Sequence, residues 1–170
     1  MRIPATLQPE NVVGLIDSRE QLPLDLSPLK TEVVGLATGD YSVGGMESIV
    51  AIERKSEPDL LTCIGKERKR FDAVIQRLLG FEIRAVVVES SWQRMEAGEW
   101  NSKITANQAI GSLLGWIARG VPIVMANDHQ RCGRFVSRLL FTAARRRWAE
   151  ARSLVDEVEL GTSNRTRISG

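Results

Sequence analysis

The chain has 170 residues, of which 43% are hydrophobic and 26% charged, and its formal net charge at pH 7 is +2. This length and balance suit one globular domain with a substantial buried core. The two cysteines, Cys63 and Cys132, stand far apart, and no apolar run approaches the ~20 residues of a membrane span. We therefore expect a soluble intracellular protein rather than a membrane protein or a disulfide-stabilised secreted one.

The first third of the chain predicts short strands. Residues 1–11 contain two prolines and are interpreted as an N-terminal arm. Apolar runs and alternating segments then predict β-strands over 12–16, 32–37, 41–43 and 48–53. The last two of these flank Gly44 and Gly45, which predicts a hairpin.

Beyond residue 55 the apolar residues recur at helical spacing. This periodicity predicts a helix from a cap at Ser56 to Gly80, followed by a buried strand over 85–89 parallel to its neighbour. Residues 90–104 are interpreted as a loop, and a second helix is predicted from Thr105 to Gly120. A strand over 121–126 and a long final helix, capped by Asp128 and ending near Leu160, complete the domain, and 161–170 is interpreted as a flexible tail.

The order of these elements predicts the fold class. Strands that first form a meander and later alternate with helices indicate an α/β domain with a mixed central sheet flanked by helices.

The stretch 39–59 concentrates residues that can carry chemistry. Asp40 and Glu53 stand on either side of a predicted strand–turn–strand, and Lys55 follows Glu53 by two positions, so Glu53 and Lys55 share one face of the strand. Two carboxylates beside an amine suit Mg²⁺, which takes oxygen ligands, keeps several waters and often shares its coordination with a phosphate. The stretch therefore predicts a metal-dependent phosphodiesterase site; the alternative is an exposed hairpin with solvated charges.

Three blocks of sequence carry a family resemblance. They read Asp-x-Arg-Glu over 17–20, Gly-Asp over 39–40 and Glu-Arg-Lys-x-x-x-Asp over 53–59, and the pair Arg70-Phe71 follows on the next helix. In this order the blocks resemble the nuclease domain of the XPF-type structure-specific endonucleases, a branch of the restriction-endonuclease-like PD-(D/E)XK fold. The resemblance covers roughly residues 12–147, so we interpret 12–160 as an XPF-type nuclease domain.

The resemblance implies a Mg²⁺-dependent endonuclease, with Mn²⁺ expected to substitute, that cuts DNA near junctions or flaps. By position it implies five residues with catalytic or metal-binding roles: Asp40, Glu53, Lys55, Asp17 and Glu20. Of these, Asp40, Glu53 and Glu20 would hold the metal, and Asp59 would be a supporting acid. Lys55 could orient or deprotonate water, stabilise charge on the phosphate, or form a salt bridge with Asp59.

Basic and aromatic residues near the motif suggest how DNA could be held. The candidate DNA contacts are Arg19, Arg54, Arg68 and Arg70, for which the alternative is a solvated surface. Trp92 and Trp100 could stack on unpaired bases or pack normally.

An apolar stripe along the final helix, which includes Leu154 and Val158, predicts a homodimer or heterodimer through the C-terminal helices. Two other functions remain open: a restriction-like nuclease or Holliday-junction-type resolvase, and a non-catalytic DNA-binding partner subunit.

Overall fold

The computed structural model of the protein describes residues 6–168, with side chains described as far as residue 158. Residues 1–5 of the predicted arm and residues 169–170 of the predicted tail lie outside this range. Within the arm, Pro9–Asn11 forms one turn of 3-10 helix.

Six strands and five helices make up the described part of the chain. The strands are β1 Val13–Asp17, β2 Lys30–Val34, β3 Tyr41–Val43, β4 Val50–Ser56, β5 Ile83–Glu89 and β6 Ile123–Met125. The helices are α1 Glu57–Ile64, α2 Arg68–Leu78, α3 Trp92–Ala97, α4 Ala106–Ala118 and α5 His129–Ile168.

The strands form one mixed sheet in the order β2-β1-β3-β4-β5-β6. The predicted hairpin β3–β4 is antiparallel, and β4, β5 and β6 run parallel to one another, as expected for strands joined through helices. The predicted opening meander is wrong, because β2 pairs with β1 in parallel at the edge of the sheet and β3 pairs with the other side of β1. The connection between β1 and β2 is long enough to carry the chain back for a parallel pairing.

Each face of the sheet carries a hydrophobic core. On one face, residues of β1, β3, β4 and β5 pack against the first half of α5, including Cys132, Val136 and Leu140. On the other face, alternate residues of β4 and β5 pack with α1, α2 and α4, where Phe71 and Trp116 meet edge to face with ring centroids 4.9 Å apart. Successive residues of β4 therefore face different layers, which decides the surroundings of every side chain in the Glu-Arg-Lys motif.

The helices differ from their predicted limits in three places. The segment predicted as one helix over 56–80 is two, because Gly65 ends α1 and packs so tightly that a Cβ there would lie 3.0 Å from Cδ1 of Ile104. The segment 90–104 is not only a loop, since Ser91 caps the short helix α3, which Gly98 ends in a left-handed conformation. Finally, α5 continues to Ile168, past the predicted end at Leu160 and through part of the predicted tail.

Other local predictions are confirmed. Ser56 caps α1 and Thr105 forms a capping box with Gln108 at the start of α4. The carboxylate of Asp128 accepts a hydrogen bond of 2.7 Å from the backbone of Arg131 in the first turn of α5. Both cysteines are free thiols. Across the described residues, no helix is long and apolar enough to cross a membrane.

Candidate active site

Two carboxylates, Asp40 and Glu53, come together beside the β3–β4 hairpin. Asp40 immediately precedes β3, Glu53 lies in β4, and the pairing of Tyr41 with Ile52 brings the two acids to neighbouring positions. The backbone N–H of Arg54 donates to Oδ2 of Asp40 at 2.7 Å, which fixes the Asp40 side chain against β4.

The acids are crowded and poorly solvated. Burial, followed by the negative charge of Glu53, raises the pKa of Asp40 to about 7, although the hydrogen bond from Arg54 and the ammonium of Lys55 act in the opposite direction. The Glu53 side chain is itself buried. A site of this kind favours a proton or a cation between its carboxylates.

Lys55 provides the positive charge next to this pair. Its Nζ lies 2.6 Å from Oε1 of Glu53 and 5.4 Å from the ring centroid of Phe71 on α2. Burial lowers the pKa of Lys55, but the charge and hydrogen bond of Glu53 and the charge of Asp40 outweigh it, so that the pKa is raised. Lys55 therefore carries a full positive charge at neutral pH, and its salt-bridge partner is Glu53 rather than Asp59.

A cavity of about 270 Å³ opens beside Glu53 and Lys55, between β4 and helices α1 and α2. Its lining also includes Asp59, Thr62, Cys63, Glu67, Arg70, Phe71 and Val74. The carboxylate of Asp59 accepts a hydrogen bond of 2.7 Å from Ser56, whose hydroxyl caps the same helix, so Asp59 orders the start of α1 at the rim of this cavity.

Arg54 faces the opposite side of β4 and is largely buried. Its guanidinium contacts Glu89 at the end of β5 through Nε at 2.8 Å and Nη2 at 2.7 Å, and it lies 3.3 Å from Nδ1 of His129. His129 Nδ1 in turn lies 2.6 Å from Oε1 of Glu89. Arg54 is predicted to contact DNA; in the structure its side chain is only 10% exposed, and its guanidinium is held by the carboxylates of Glu20 and Glu89.

Sequence reasoning missed Glu89 and His129 as members of this arrangement. Glu89 follows the apolar residues 85–88, just as Glu53 follows the apolar residues 49–52, and this position at the end of a buried strand is a signal that could have identified it. His129 follows the predicted cap of the last helix, and nothing local to it in the sequence indicates a partner 40 residues away.

Glu20 lies on the far side of Arg54. Its Oε1 lies 3.3 Å from Nη1 of Arg54 and accepts a hydrogen bond of 3.1 Å from the backbone of Leu22, and the hydroxyl of Tyr41 lies 3.4 Å from Oε2. The negative charge of Glu20 contributes to the raised pKa of Asp40. The charge of Glu20 therefore acts on Asp40, and Glu20 and Asp40 both contact Arg54, Glu20 through the guanidinium and Asp40 through the backbone N–H.

Asp17 is occupied with structural hydrogen bonds. Its Oδ2 accepts the backbone N–H of Leu36 at 2.7 Å, and its Oδ1 accepts Nε of Arg19 at 2.6 Å. The hydrogen bond from Arg19 outweighs the effect of burial and lowers the pKa of Asp17 to about 2. Asp17 is a predicted catalytic acid and Arg19 a predicted DNA contact. The hydrogen bond from Leu36 to Asp17 joins the end of β1 to the connection between β2 and β3, while the Arg19 side chain remains 73% exposed.

The two arginines of α2 differ in surroundings. Nη1 of Arg68 donates to Ser112 at 2.6 Å, and its guanidinium lies 5.4 Å from the ring centroid of Trp116, so Arg68 packs between α2 and α4. Arg70 is 84% exposed, pairs with Glu67 at 3.0 Å and lines the cavity beside Lys55. Of the two predicted DNA contacts, only Arg70 faces the site.

The donor set can be tested against a divalent cation. In the part of the chain that the structure describes, no group of three or more His, Cys, Asp or Glu side chains is arranged to hold a metal. Two carboxylates suffice for Mg²⁺, which keeps several waters. Among the described residues, none donates a hydrogen bond to Oδ1 of Asp40 or Oε2 of Glu53, so each acid retains an oxygen that can ligate, and the residues fit a hydrated Mg²⁺.

Comparison with known proteins places the chain in a sequence and structural context. The family model of the ERCC4 domain matches residues 16–139. No curated protein sequence matches the chain.

Among solved structures, XPF from Aeropyrum pernix is similar with a TM-score of 0.63 at 17% sequence identity, over 78% of this chain and 62% of that one. The same protein in complex with DNA is similar with a TM-score of 0.61 at 15% identity, over 78% of this chain and 64% of that one. The chain thus spans less than two thirds of these XPF structures. The likeness confirms the predicted α/β fold of the restriction-endonuclease-like type.

Proposed function

The chain belongs to the ERCC4 domain family, and from this membership we propose that it is a divalent-metal-dependent DNA endonuclease that cuts near junctions or flaps of branched DNA. The observation that carries the proposal is the convergence of Asp40, Glu53 and Lys55, of which Glu53 and Lys55 line one cavity. Residues 12–160 would form the nuclease domain. The complex of XPF from Aeropyrum pernix with DNA supports DNA as the substrate class.

Asp40 and Glu53 are proposed to hold Mg²⁺, for which Mn²⁺ should substitute, and Glu20 to act as the third acid of the site. When bound, the cation supplies Lewis acidity that polarises a phosphoryl oxygen and makes water a stronger nucleophile near neutral pH. Glu53 is buried and Asp40 is poorly solvated, so bulk water screens their charges only weakly, which strengthens their attraction for a cation.

Lys55 is proposed to stabilise the negative charge that builds on the scissile phosphate. Of the roles that the sequence left open, proton abstraction is the least compatible with a raised pKa, because the amine is protonated at neutral pH. Its position 2.6 Å from Glu53 puts the ammonium beside the proposed metal ligand, so it would also orient the phosphate relative to that acid.

Arg70 is proposed as the DNA contact closest to the site, because it is exposed and lines the same cavity as Lys55. Arg54 and Asp17 are proposed to hold neighbouring residues of the site in place and not to contact DNA or take part in cleavage. Leu154 and Val158, each 62% exposed on α5, support association through the C-terminal helices, as a homodimer or with a related subunit.

The proposal is tested with the purified protein and end-labelled DNA: a fork, a flap, a four-way junction and a plain duplex of matched sequence. Cleavage of the fork and flap in Mg²⁺ or Mn²⁺, none in EDTA, and none by Asp40→Asn is the expected result. Preferred cleavage of the four-way junction would favour a resolvase. Binding to all branched DNAs without cleavage in either metal would favour a non-catalytic DNA-binding subunit and overturn the proposal.

A further inference from the structure

A second and larger cavity, of about 700 Å³, flanks helix α1 on the side of the α3–α4 connection. We call it the α1 groove; its lining comes from α1 and the turn after it, from Arg94 of α3, and from residues 100–104. Its volume is in the range of ordinary ligand pockets, ~300–1,000 Å³. The side chain of Thr62 lines both this groove and the cavity beside Lys55, so the two spaces meet across one helix.

The groove carries excess positive charge. Glu57, its one acidic residue, accepts hydrogen bonds of 3.1–3.2 Å from Arg94 and one of 2.7 Å from Ser90. The charges of Glu57 and Arg94 therefore cancel locally. Lys66 and Lys103 also line the groove, both are exposed, and neither forms an ion pair with any residue in the described range. Two ammonium groups are thus available to an anionic ligand.

Part of the groove is lined by apolar side chains. Leu61 and Ile104 face it, and the indole of Trp100 forms a wall. Nε1 of Trp100 donates to the carbonyl of Ile104 at 2.7 Å, which fixes the ring. Asn101 adds a side-chain amide at the rim. Lysines around an apolar and aromatic surface are the combination that holds single-stranded nucleic acid, through phosphate contacts and base stacking respectively.

We propose that the α1 groove binds a short unpaired segment of the DNA substrate as it leaves the active site, with Lys66 and Lys103 on its phosphates and its bases against Trp100 and Ile104. The proposal rests on the proposed nuclease function and specifies how unpaired DNA would be recognised. Bases in a duplex are paired and stacked inward and cannot reach such a surface, whereas unpaired bases can. The groove would therefore distinguish branched DNA from plain duplex.

The test measures DNA binding by fluorescence anisotropy in EDTA, so that it does not depend on cleavage. The probes are a duplex with a single-stranded oligo(dT) arm and the same duplex with blunt ends, each titrated over a range of salt. The test variant is Lys66→Ala/Lys103→Ala. The matched control is Lys30→Ala/Lys69→Ala, which removes the same charge from two exposed lysines outside the groove. Melting temperatures establish that both variants fold.

For the arm-bearing DNA, the test variant should reduce the slope of log affinity against log salt by about 1.4 relative to the control, since each phosphate contact on a single strand contributes ~0.7. On the blunt duplex, test and control variants should behave alike. As a second readout, 4-thiothymidine placed in the arm next to the duplex should photocrosslink to the peptide that contains residues 100–104 in the parent protein.

Three outcomes would overturn the proposal: equal loss of affinity for both DNAs, no loss beyond the control, or crosslinks only outside the groove. Its failure is distinguishable from that of the nuclease function. A parent that cleaves forks while the groove variant keeps the parental preference for the arm refutes the groove alone. A parent that binds the arm through Lys66 and Lys103 but cleaves no DNA refutes the nuclease function alone, and a parent that binds no DNA refutes both.

Discussion

The carboxylate of Glu89 fixes the guanidinium of Arg54, with Oε1 lying 2.8 Å from Nε and 2.7 Å from Nη2. Because the backbone N–H of the same arginine holds Asp40, one residue connects the end of β5 to the proposed metal ligand. The chain distance between Glu89 and Arg54 is 35 residues, so this link forms only when β4 and β5 pair.

Loss of Glu89 should therefore weaken the whole fold. Removing one partner of a buried ion pair costs ~3–5 kcal/mol, and because Glu20 remains beside Arg54 we expect Glu89→Ala to lower the free energy of unfolding by about 3 kcal/mol. Glu82→Ala is the matched control, since Glu82 pairs with Arg146 and Arg147 at the surface and should cost no more than ~1 kcal/mol. Urea denaturation of both variants checks this; equal costs would contradict it.

Substitution of Lys55 should separate catalysis from binding. Lys55→Ala should reduce the rate of cleavage by ~10²-fold or more, the scale of a lost charge-stabilising or acid–base group, and should leave DNA affinity largely unchanged. Single-turnover cleavage and anisotropy measure the two quantities, with Lys69→Ala as a control that removes an exposed lysine of α2. A drop in affinity with an unchanged rate would assign Lys55 to binding instead.

The low pKa of Asp17 predicts how the free energy of unfolding changes with pH under acidic conditions. Its folded-state pKa, about 2, lies below the ordinary value of 3.8, so its ionised form stabilises the protein above about pH 4, and this contribution disappears as the pH falls from there toward 2. Asp17→Asn should lower the free energy of unfolding by roughly 1–2 kcal/mol at pH 7. The difference from the parent should shrink as the pH falls from about 4 toward 2, as followed by urea titrations; a constant difference over this range would refute the assignment.

The two arginines of α2 should behave differently toward DNA. Arg70→Ala should make the salt dependence of duplex binding shallower by ~0.9, the contribution of one phosphate contact, with little change in stability. Arg68→Ala should lower the melting temperature, because Arg68 packs on Trp116 and donates to Ser112, and should leave the salt slope as in the parent. A shallower slope for Arg68→Ala and an unchanged slope for Arg70→Ala would contradict this prediction. That result would show that DNA passes over the outer face of α2.

Association through α5 is testable in solution. Leu154 and Val158 are exposed apolar residues, and a contact between copies would bury them. Leu154→Glu/Val158→Glu should convert a dimer into a monomer in sedimentation velocity experiments, without loss of folding. Arg152→Glu/Asp156→Lys, which exchanges charges on the same stretch, serves as the control. A monomeric parent at high concentration would exclude the homodimer.

Much of the site could be predicted because its geometry follows from short-range rules. Glu53 and Lys55 share a face because strand residues alternate, and Asp40 reaches them because glycines close the hairpin. The surroundings of Arg54 and Arg68 could not be predicted in the same way. Their partners Glu89, His129 and Ser112 lie 35 to 75 residues away in the chain. The sequence around an arginine that pairs within the protein therefore does not distinguish it from an arginine that would contact a phosphate.

The fold likewise has features that neighbouring residues in the sequence predict and features that depend on residues far apart in the chain. Capping residues identify the starts of α1 and α4, but no local pattern reports that β2 pairs with β1 in parallel, because an edge strand with mostly exposed side chains carries little hydrophobic signal. The apolar periodicity continues across Gly65 and so predicts a single helix, although glycine is a poor residue for a helix interior.

The position of α5 has a consequence for how the protein is made. The core on one face of the sheet includes residues of β1, β3, β4 and β5 and residues between Cys132 and Ala144 of α5. A ribosome therefore releases nearly the entire sheet before it produces the helix that covers that face. During this interval the apolar face is open to water and to other chains, the condition under which nascent proteins aggregate. Slowed translation between β6 and α5 would prolong the exposure, and chaperone binding at this stage would protect the sheet until the helix arrives.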